Sequence, residues 1–293
     1  MSLSKLAINF HFTRVCNFNC VFCFHTKKTN FMLTLPEQIE IMKQARNEGA
    51  EKINFAGGEP FLFPDRLGQM VKAAKSLGYR SVSIISNSSV VRPKWFNDYG
   101  KYVDIMGISC DSIDPIVNFN HGRNFIGCKK AISLKNKIEL LSRICRDRNI
   151  MFKINTVVTQ LNKNELLSPF VNTLNACRWK IFQLLEIKNE NNGKINKLQV
   201  TKEEFERYCR RNKALLNNKE IMVPESNEKM QNSYILIDEF GCFLDVSSGS
   251  KIQTNSILKV GIKKALEELG MGFDKEMFFK RGGRYQWEKK TNH

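Results

Sequence analysis

Cys16-Asn17-Phe18-Asn19-Cys20-Val21-Phe22-Cys23 sets three cysteines in a C-x3-C-x2-C run, with an aromatic residue just before the last. The run follows an apolar segment, Leu6-Ala7-Ile8-Asn9-Phe10-His11-Phe12, which reads as the first strand of the fold. Three thiols packed this closely are not a disulfide framework. They also stop one short of the four ligands that a structural zinc ion or an ordinary ferredoxin cluster takes. Two readings follow: a metal site left one protein ligand short so that something else can bind, or half of a zinc site completed by His25.

Outward from this loop, short apolar runs alternate with amphipathic segments, the pattern of repeated βα units. Strands are predicted near residues 5–12, 52–56, 82–86, 103–109, 151–158 and 179–186, and helices near 36–48, 65–77, 93–98, 129–148 and 163–175. From about residue 190 the rhythm changes. Asn189-Glu190-Asn191-Asn192-Gly193 is a polar break, then a helix is predicted over 202–215 and a strand-like Ser233-Tyr234-Ile235-Leu236-Ile237. A second loop, Phe55-Ala56-Gly57-Gly58-Glu59-Pro60, closes the second strand. Its paired glycines allow close backbone approach to a ligand, and Glu59 supplies acceptors.

A chain of 293 residues, 42% hydrophobic, can bury a full core as one large α/β domain or two ordinary ones. It contains no run of about eighteen apolar residues and no secretory leader pattern, so a cytoplasmic protein without stable membrane insertion is expected. Six of its nine cysteines (Cys110, Cys128, Cys145, Cys177, Cys209 and Cys242) are scattered without framework spacing, which fits free thiols in a reducing compartment. The net charge of +17 raises nucleic acid and anionic membrane as partners. The cations are dispersed, however, with no arginine-rich block and no interleaved aromatics, so nucleic acid is not expected. A polyanionic small molecule accounts for part of the balance.

Three strands share an oddity. Side chains alternate faces along a strand. Ile53 and Phe55 therefore take one face and leave Lys52 and Asn54 on the other; Lys153 and Asn155 share a face on the fifth strand, Arg178 and Lys180 on the sixth. If the apolar set packs on outer helices, the cations and amides point inward. A buried lysine without a partner costs several kcal/mol, so the pattern predicts a bound polyanion or internal carboxylates.

The cysteine run and the Gly57-Gly58-Glu59 loop together resemble the radical S-adenosylmethionine (SAM) superfamily. The resemblance implies an α/β fold, a partial (βα)6 barrel over residues 1–190, with a C-terminal extension over 191–293 covering the open barrel. It implies that Cys16, Cys20 and Cys23 hold a [4Fe-4S] cluster whose fourth iron is left for SAM. Phe22 would lie against the adenine and Gly57, Gly58 and Glu59 would hold the amino group. Ser86, Asn87 and Ser109 would meet the ribose and carboxylate, although capping and turn chemistry suit those three equally.

A narrower resemblance runs from about residue 9 to 287. FHFTRVCNFNCVFCFHT, EKINFAGGEPF, SIISNSS, GISCDS, FKIN, RWKIFQ, VPESN, SYILIDE and FFKRGGRYQW, in this order, are similar to the viperin family of antiviral radical SAM nucleotide dehydratases. The family implies reaction on a ribonucleoside triphosphate, CTP first, with UTP or GTP as alternatives. A 5′-deoxyadenosyl radical takes the 4′ hydrogen and the 3′ hydroxyl leaves as water, giving a chain-terminating 3′-deoxy-3′,4′-didehydro nucleotide. Lys52, Asn54, Lys153, Asn155, Arg178, Lys180 and Arg281 match positions around the nucleotide. Tyr234 matches a tyrosine near the reacting ribose, able to donate a proton or hydrogen atom or merely to pack. An electron donor and the iron–sulfur assembly machinery are implied partners, and a monomer is expected. Nothing before the first strand matches the amphipathic helix of the animal proteins, so membrane attachment is not carried over. The stretch Trp287 to His293 lacks the usual terminal aromatic that recruits assembly machinery. Another anionic substrate, a peptide or a cofactor precursor, is the alternative.

Overall fold

The structure, a computed structural model, describes residues 2–270 and 273–288, so the terminal stretch 289–293 lies outside the described residues. Six strands, β1 (Ala7–His11), β2 (Lys52–Ala56), β3 (Ser81–Ser86), β4 (Ile105–Ser109), β5 (Met151–Val158) and β6 (Ala176–Gln183), pair in parallel and in chain order. Between them run α1 (Leu35–Asn47), α2 (Pro64–Ser76), α3 (Trp95–Tyr99), α4 (Pro115–Asn120), α5 (Lys135–Asp147) and α6 (Ser168–Thr173). This is the expected partial (βα)6 barrel. The sequence builds it locally. Thr34 and Glu37 form a capping box that starts α1. On α5, Ile138, Leu141, Ile144 and Cys145 form one buried stripe. Strand β5 alternates: Phe152, Ile154, Thr156 and Val158 are buried, while Lys153 and Asn155 are half-buried on the inner face.

The C-terminal part adds α7 (Lys202–Ala214), β7 (Met222–Glu225), α8 (Asn227–Met230), β8 (Ile235–Ile237), β9 (Cys242–Asp245), β10 (Ile252–Ser256), α9 (Ile257–Val260), α10 (Ile262–Leu269) and α11 (Lys275–Lys280). It extends the sheet at both edges as well as covering it, giving the order β10-β9-β8-β1-β2-β3-β4-β5-β6-β7. β7 lies parallel to β6, with Pro224 tolerated there because the strand is at the edge. β8 lies parallel to β1, and β9 and β10 follow antiparallel.

Several boundaries differ from expectation: the helix expected over 163–175 spans only Ser168–Thr173, and the strand expected to reach 186 ends at Gln183. β6 begins at Ala176, three residues before the predicted start, because it pairs with β5 from Phe152 onward. The helix predicted from 129 begins only at Lys135. Before it, Asn124 Nδ2 donates to the carbonyls of Cys128 and Lys130, both at 3.0 Å, and holds 124–130 as a loop. Among the described residues no helix is long and apolar enough to cross a membrane.

The segment after α11 passes beneath the barrel. Tyr285 Oη accepts from Lys52 Nζ at 3.0 Å, and Trp287 O accepts from Ser81 Oγ at 2.7 Å. Lys52 and Ser81 open β2 and β3. The tail therefore floors the amino ends of the strands, while the cysteine loop roofs their carboxyl ends.

Candidate active site

The cysteine loop leaves β1 and returns to the barrel only at α1. Its thiols are all free and half-buried. Phe18 N donates to Cys16 Sγ at 3.5 Å and His25 N to Cys23 Sγ at 3.3 Å. Burial pushes the Cys20 thiol up to about 12 and the Cys16 thiol upward, so binding a metal would expel protons. His25 is not a fourth ligand. Its ring nitrogens are engaged by His11 Nδ1 and, at 2.9 Å, by Lys251 Nζ. Among the described residues no group of three His, Cys, Asp or Glu closes around a single metal ion. With His25 engaged elsewhere, the zinc reading lacks its fourth donor, and three cysteines alone suit a cluster that takes one further ligand from outside the chain.

The Gly57-Gly58-Glu59 loop is built for a nearer neighbour than the sequence suggested. Gly57 sits at φ +129°, where a Cβ would meet Thr13 O at 2.1 Å; at Gly58 it would meet Val15 O at 1.9 Å. The glycines admit the backbone of the cysteine loop, sealed by Gly58 N to Thr13 O at 2.7 Å and Glu59 N to Val15 O at 2.9 Å. Glu59 is fully buried. Its carboxylate accepts from Phe61 N at 3.0 Å, Ser86 Oγ at 2.8 Å and Asn87 N at 2.7 Å, which fills three of about four acceptor sites. It is first a clasp between the β2 and β3 loops. Burial pushes its pKa up against the pull of those donors.

Asn87 reaches the cysteine loop, donating to Asn17 Oδ1 at 2.9 Å and approaching Cys16 Sγ at 3.9 Å. Phe22 packs edge-on against His121 at 5.1 Å. Ser109 ends β4 and offers its carbonyl to Arg123. The sequence reading missed Arg123. It is buried, paired with Asp111 at 3.2 Å, and its charge bears on Cys20 and Cys16. The only local signal was Gly122, whose φ of +70° lets the chain pass Asn19 O.

Beneath this layer a cavity of about 100 Å³ is lined by Asn9, Lys52, Asn54, Lys153, Asn155 and Lys180 from the barrel and by Tyr234, Arg281 and Tyr285 from the C-terminal part. Arg178 borders it, stacking 4.1 Å over Tyr285 and donating to Gly282 O at 2.6 Å. Five cations thus converge: Lys52, Lys153, Arg178, Lys180 and Arg281. Among the described residues a single carboxylate, Glu225 at the end of β7, reaches any of them. It pairs with Lys180 and, at 3.4 Å, with Arg281, and accepts from Tyr234 Oη. Glu225, too, was not assigned from the sequence.

The electrostatics record the crowding. Burial, then Lys153 and Arg178, hold Lys52 well below the usual lysine range. Burial, then Arg178, brings Lys153 down to about 8. Lys180 is also lowered, by burial, although Glu225 opposes the shift. Burial alone would raise Glu225, but Lys180 and Arg281 outweigh it and hold it low. Asn155 Oδ1, in the cavity lining, and Arg178 Nε are both buried without a hydrogen-bond partner, the first of them a polar atom that a ligand in the cavity could satisfy.

A parallel partial barrel with a three-cysteine loop at its carboxyl end defines a radical SAM enzyme, and residues 10–128 match the radical SAM superfamily. SuiB of Streptococcus suis, in its structure with S-adenosylmethionine, shares the fold at a TM-score of 0.67 and 14% identity, over 97% of this chain and 69% of that one. The S-adenosylmethionine-dependent nucleotide dehydratase RSAD2 of Siniperca chuatsi is 42% identical, over 98% of this chain and 81% of its own. The S-adenosylmethionine-dependent nucleotide dehydratase of Flammeovirga pacifica is 33% identical over 96% of both. The chain belongs to this family of nucleotide dehydratases, the viperin family, and its cofactors are a [4Fe-4S] cluster and SAM.

Proposed function

We propose that this chain dehydrates a ribonucleoside triphosphate, CTP first, to its 3′-deoxy-3′,4′-didehydro analogue, an antiviral chain terminator. The observation that carries the reading is the set of five cations facing one carboxylate directly below the cysteine loop. That excess of positive charge suits a polyphosphate better than a peptide.

Cys16, Cys20 and Cys23 would hold the cluster, and the loops bearing Phe22, Gly57, Gly58, Glu59, Ser86, Asn87 and Ser109 would frame SAM, with Arg123 added from the structure. The bound cluster and SAM supply a hydrogen-abstracting radical. The remaining work falls to the barrel. Lys52, Lys153, Arg178, Lys180 and Arg281 would take the phosphates near the floor, which leaves the ribose higher, toward the cysteine loop. Asn54 Nδ2 donates to Asn9 Oδ1 at 3.0 Å, so this amide pair is preset on adjoining strands for ribose or base contacts. Tyr234 Oη receives from Lys180 Nζ at 2.8 Å and donates to Glu225, which fixes its hydroxyl beside the phosphate site for delivery of a proton or hydrogen atom. The cavity is smaller than the ~300 Å³ of ordinary ligand pockets. Entry would therefore displace tail side chains, Tyr285 before others, since its ring lies between Lys52 and Arg178. An electron donor and the assembly machinery complete the cycle in the cytoplasm.

The test is anaerobic turnover with SAM and dithionite across CTP, UTP, GTP and ATP, with product mass. Loss of one water from one triphosphate, with matching 5′-deoxyadenosine, is the expected result. SAM cleavage indifferent to all four would sink the substrate reading.

A further inference from the structure

The loop that backs the cysteine loop has an outward face. Asn19 N donates to Gly122 O at 3.1 Å, Val21 N to His121 O at 3.0 Å and Ile126 N to Asn17 O at 3.0 Å. The rings of Phe18 and Phe125 meet edge-on at 5.4 Å. Residues 121–126 are thus an outer wall of the candidate cluster site, one layer of backbone thick. On the solvent side Phe125 is 36% and Ile126 65% exposed. On α4 just before, Ile116 and Phe119 are 58% and 38% exposed, three positions apart on one helix face. Four of the twelve large apolar side chains exposed among the described residues fall within 116–126, a concentration that scattered surface residues do not show.

The surroundings are basic. Lys129, Lys130 and Lys135 are exposed, and no acidic residue stands between Asp114 and Glu139. Asn124 fixes the turn that presents the first two lysines. Across the cysteine loop, exposed Lys28 lies close enough for its charge to bear on Cys16. An apolar centre with a cationic rim complements an acidic protein and speeds its encounter. Electron-transfer encounters use small contacts of this kind. Its position counts most, because a radical SAM enzyme takes an electron at its cluster, and this wall is where protein-bound charge could approach it.

We propose that the surface centred on Phe125 and Ile126, rimmed by Lys129 and Lys130, docks the reductant, an acidic one-electron carrier protein holding a flavin or an iron–sulfur centre. In the docked pair one electron leaves the carrier's cofactor, which is oxidised by one electron, and enters the cluster, which is reduced by one. No proton or group is transferred. The proposal rests on the reading of Cys16, Cys20 and Cys23 as cluster ligands.

The test compares the parent protein with a triple variant, Ile126→Ser, Lys129→Glu and Lys130→Glu, each loaded with its cluster. Two reductants are used: dithionite, which needs no docking, and reduced flavodoxin, an acidic flavin carrier. SAM cleavage driven by dithionite should be unchanged, while that driven by flavodoxin should fall at least tenfold. The Kd for oxidised flavodoxin, measured by calorimetry without turnover, should rise at least tenfold, and the parent's affinity should drop with added salt. Equal flavodoxin rates and affinities in both proteins overturn the proposal. So does loss of dithionite-driven cleavage, which would assign the patch to the site itself. Vesicle binding that depends on these residues, with the flavodoxin rate unaffected, makes the patch a membrane contact and overturns it too. A parent protein that assembles no cluster refutes the ligand reading instead, and does so before any variant is made.

Discussion

Lys153 of β5 and Arg178 of β6 stand in register on neighbouring parallel strands, both on the barrel's inner side, and among the described residues neither has an ion pair. Two like charges side by side in a partly dry space are a standing cost. Lys153→Met should therefore raise the unfolding midpoint of the nucleotide-free protein. The same change should weaken triphosphate binding at least tenfold, about 1.4 kcal/mol. Calorimetric melting with and without CTP reads both signs. A variant that loses stability and keeps affinity would contradict this account.

The pH dependence follows from the same lysine. Its pKa is about 8 in the folded chain against an ordinary 10.5. Between those values the unfolded chain binds more protons than the folded one, so this group makes stability rise with pH across the window. Triphosphate affinity should move the opposite way, falling as pH climbs through about 8 and Lys153 loses its charge. The nucleotide-induced shift in melting temperature, followed from pH about 7 to 10, should shrink accordingly.

Glu225→Gln leaves Lys180 and Arg281 buried without their carboxylate. Removing one partner from such a set costs about 3 kcal/mol. A bound triphosphate supplies the missing negative charge, so CTP should stabilise this variant more than the parent in thermal melts. Equal nucleotide shifts in the two proteins would place the phosphates elsewhere.

Gly58→Ala tests what the paired glycines are for. An added Cβ would fall 1.9 Å from Val15 O, a backbone atom that cannot swing aside. The variant should misplace the cysteine loop and hold substoichiometric iron even with no SAM present. Normal iron loading combined with weakened SAM binding would restore a ligand-facing role to the glycine.

Cys20→Ala should leave a folded protein by circular dichroism with little iron after reconstitution and no SAM cleavage. Retained cleavage would show that the cluster is held elsewhere.

Much of this was legible in the chain because it is local. The cysteine run sets its own spacing, and period-2 alternation is enough to place Lys52, Lys153 and Lys180 on inner faces once the apolar residues choose the outer ones. What stayed hidden depends on pairings across long stretches of chain. Glu225 meets Lys180 only because β7 adds itself beside β6, and Val223-Pro224-Glu225 carries no sign of which edge it will join. His25 is disqualified as a metal ligand by Lys251, 226 residues away. The spacing of the two glycines was visible, but the neighbour they accommodate, the backbone at Thr13 and Val15, appears only when β1 and β2 are side by side.

The barrel's floor is laid by Arg281 through Trp287, whereas its roof begins at Cys16. A ribosome releases these parts in the reverse order, so the cysteine loop emerges more than two hundred and fifty residues before the piece that closes the cavity. A half-made chain has the thiols but no chamber. The cavity therefore cannot close until the segment carrying Tyr285 and Trp287 has been made and has reached Lys52 and Ser81.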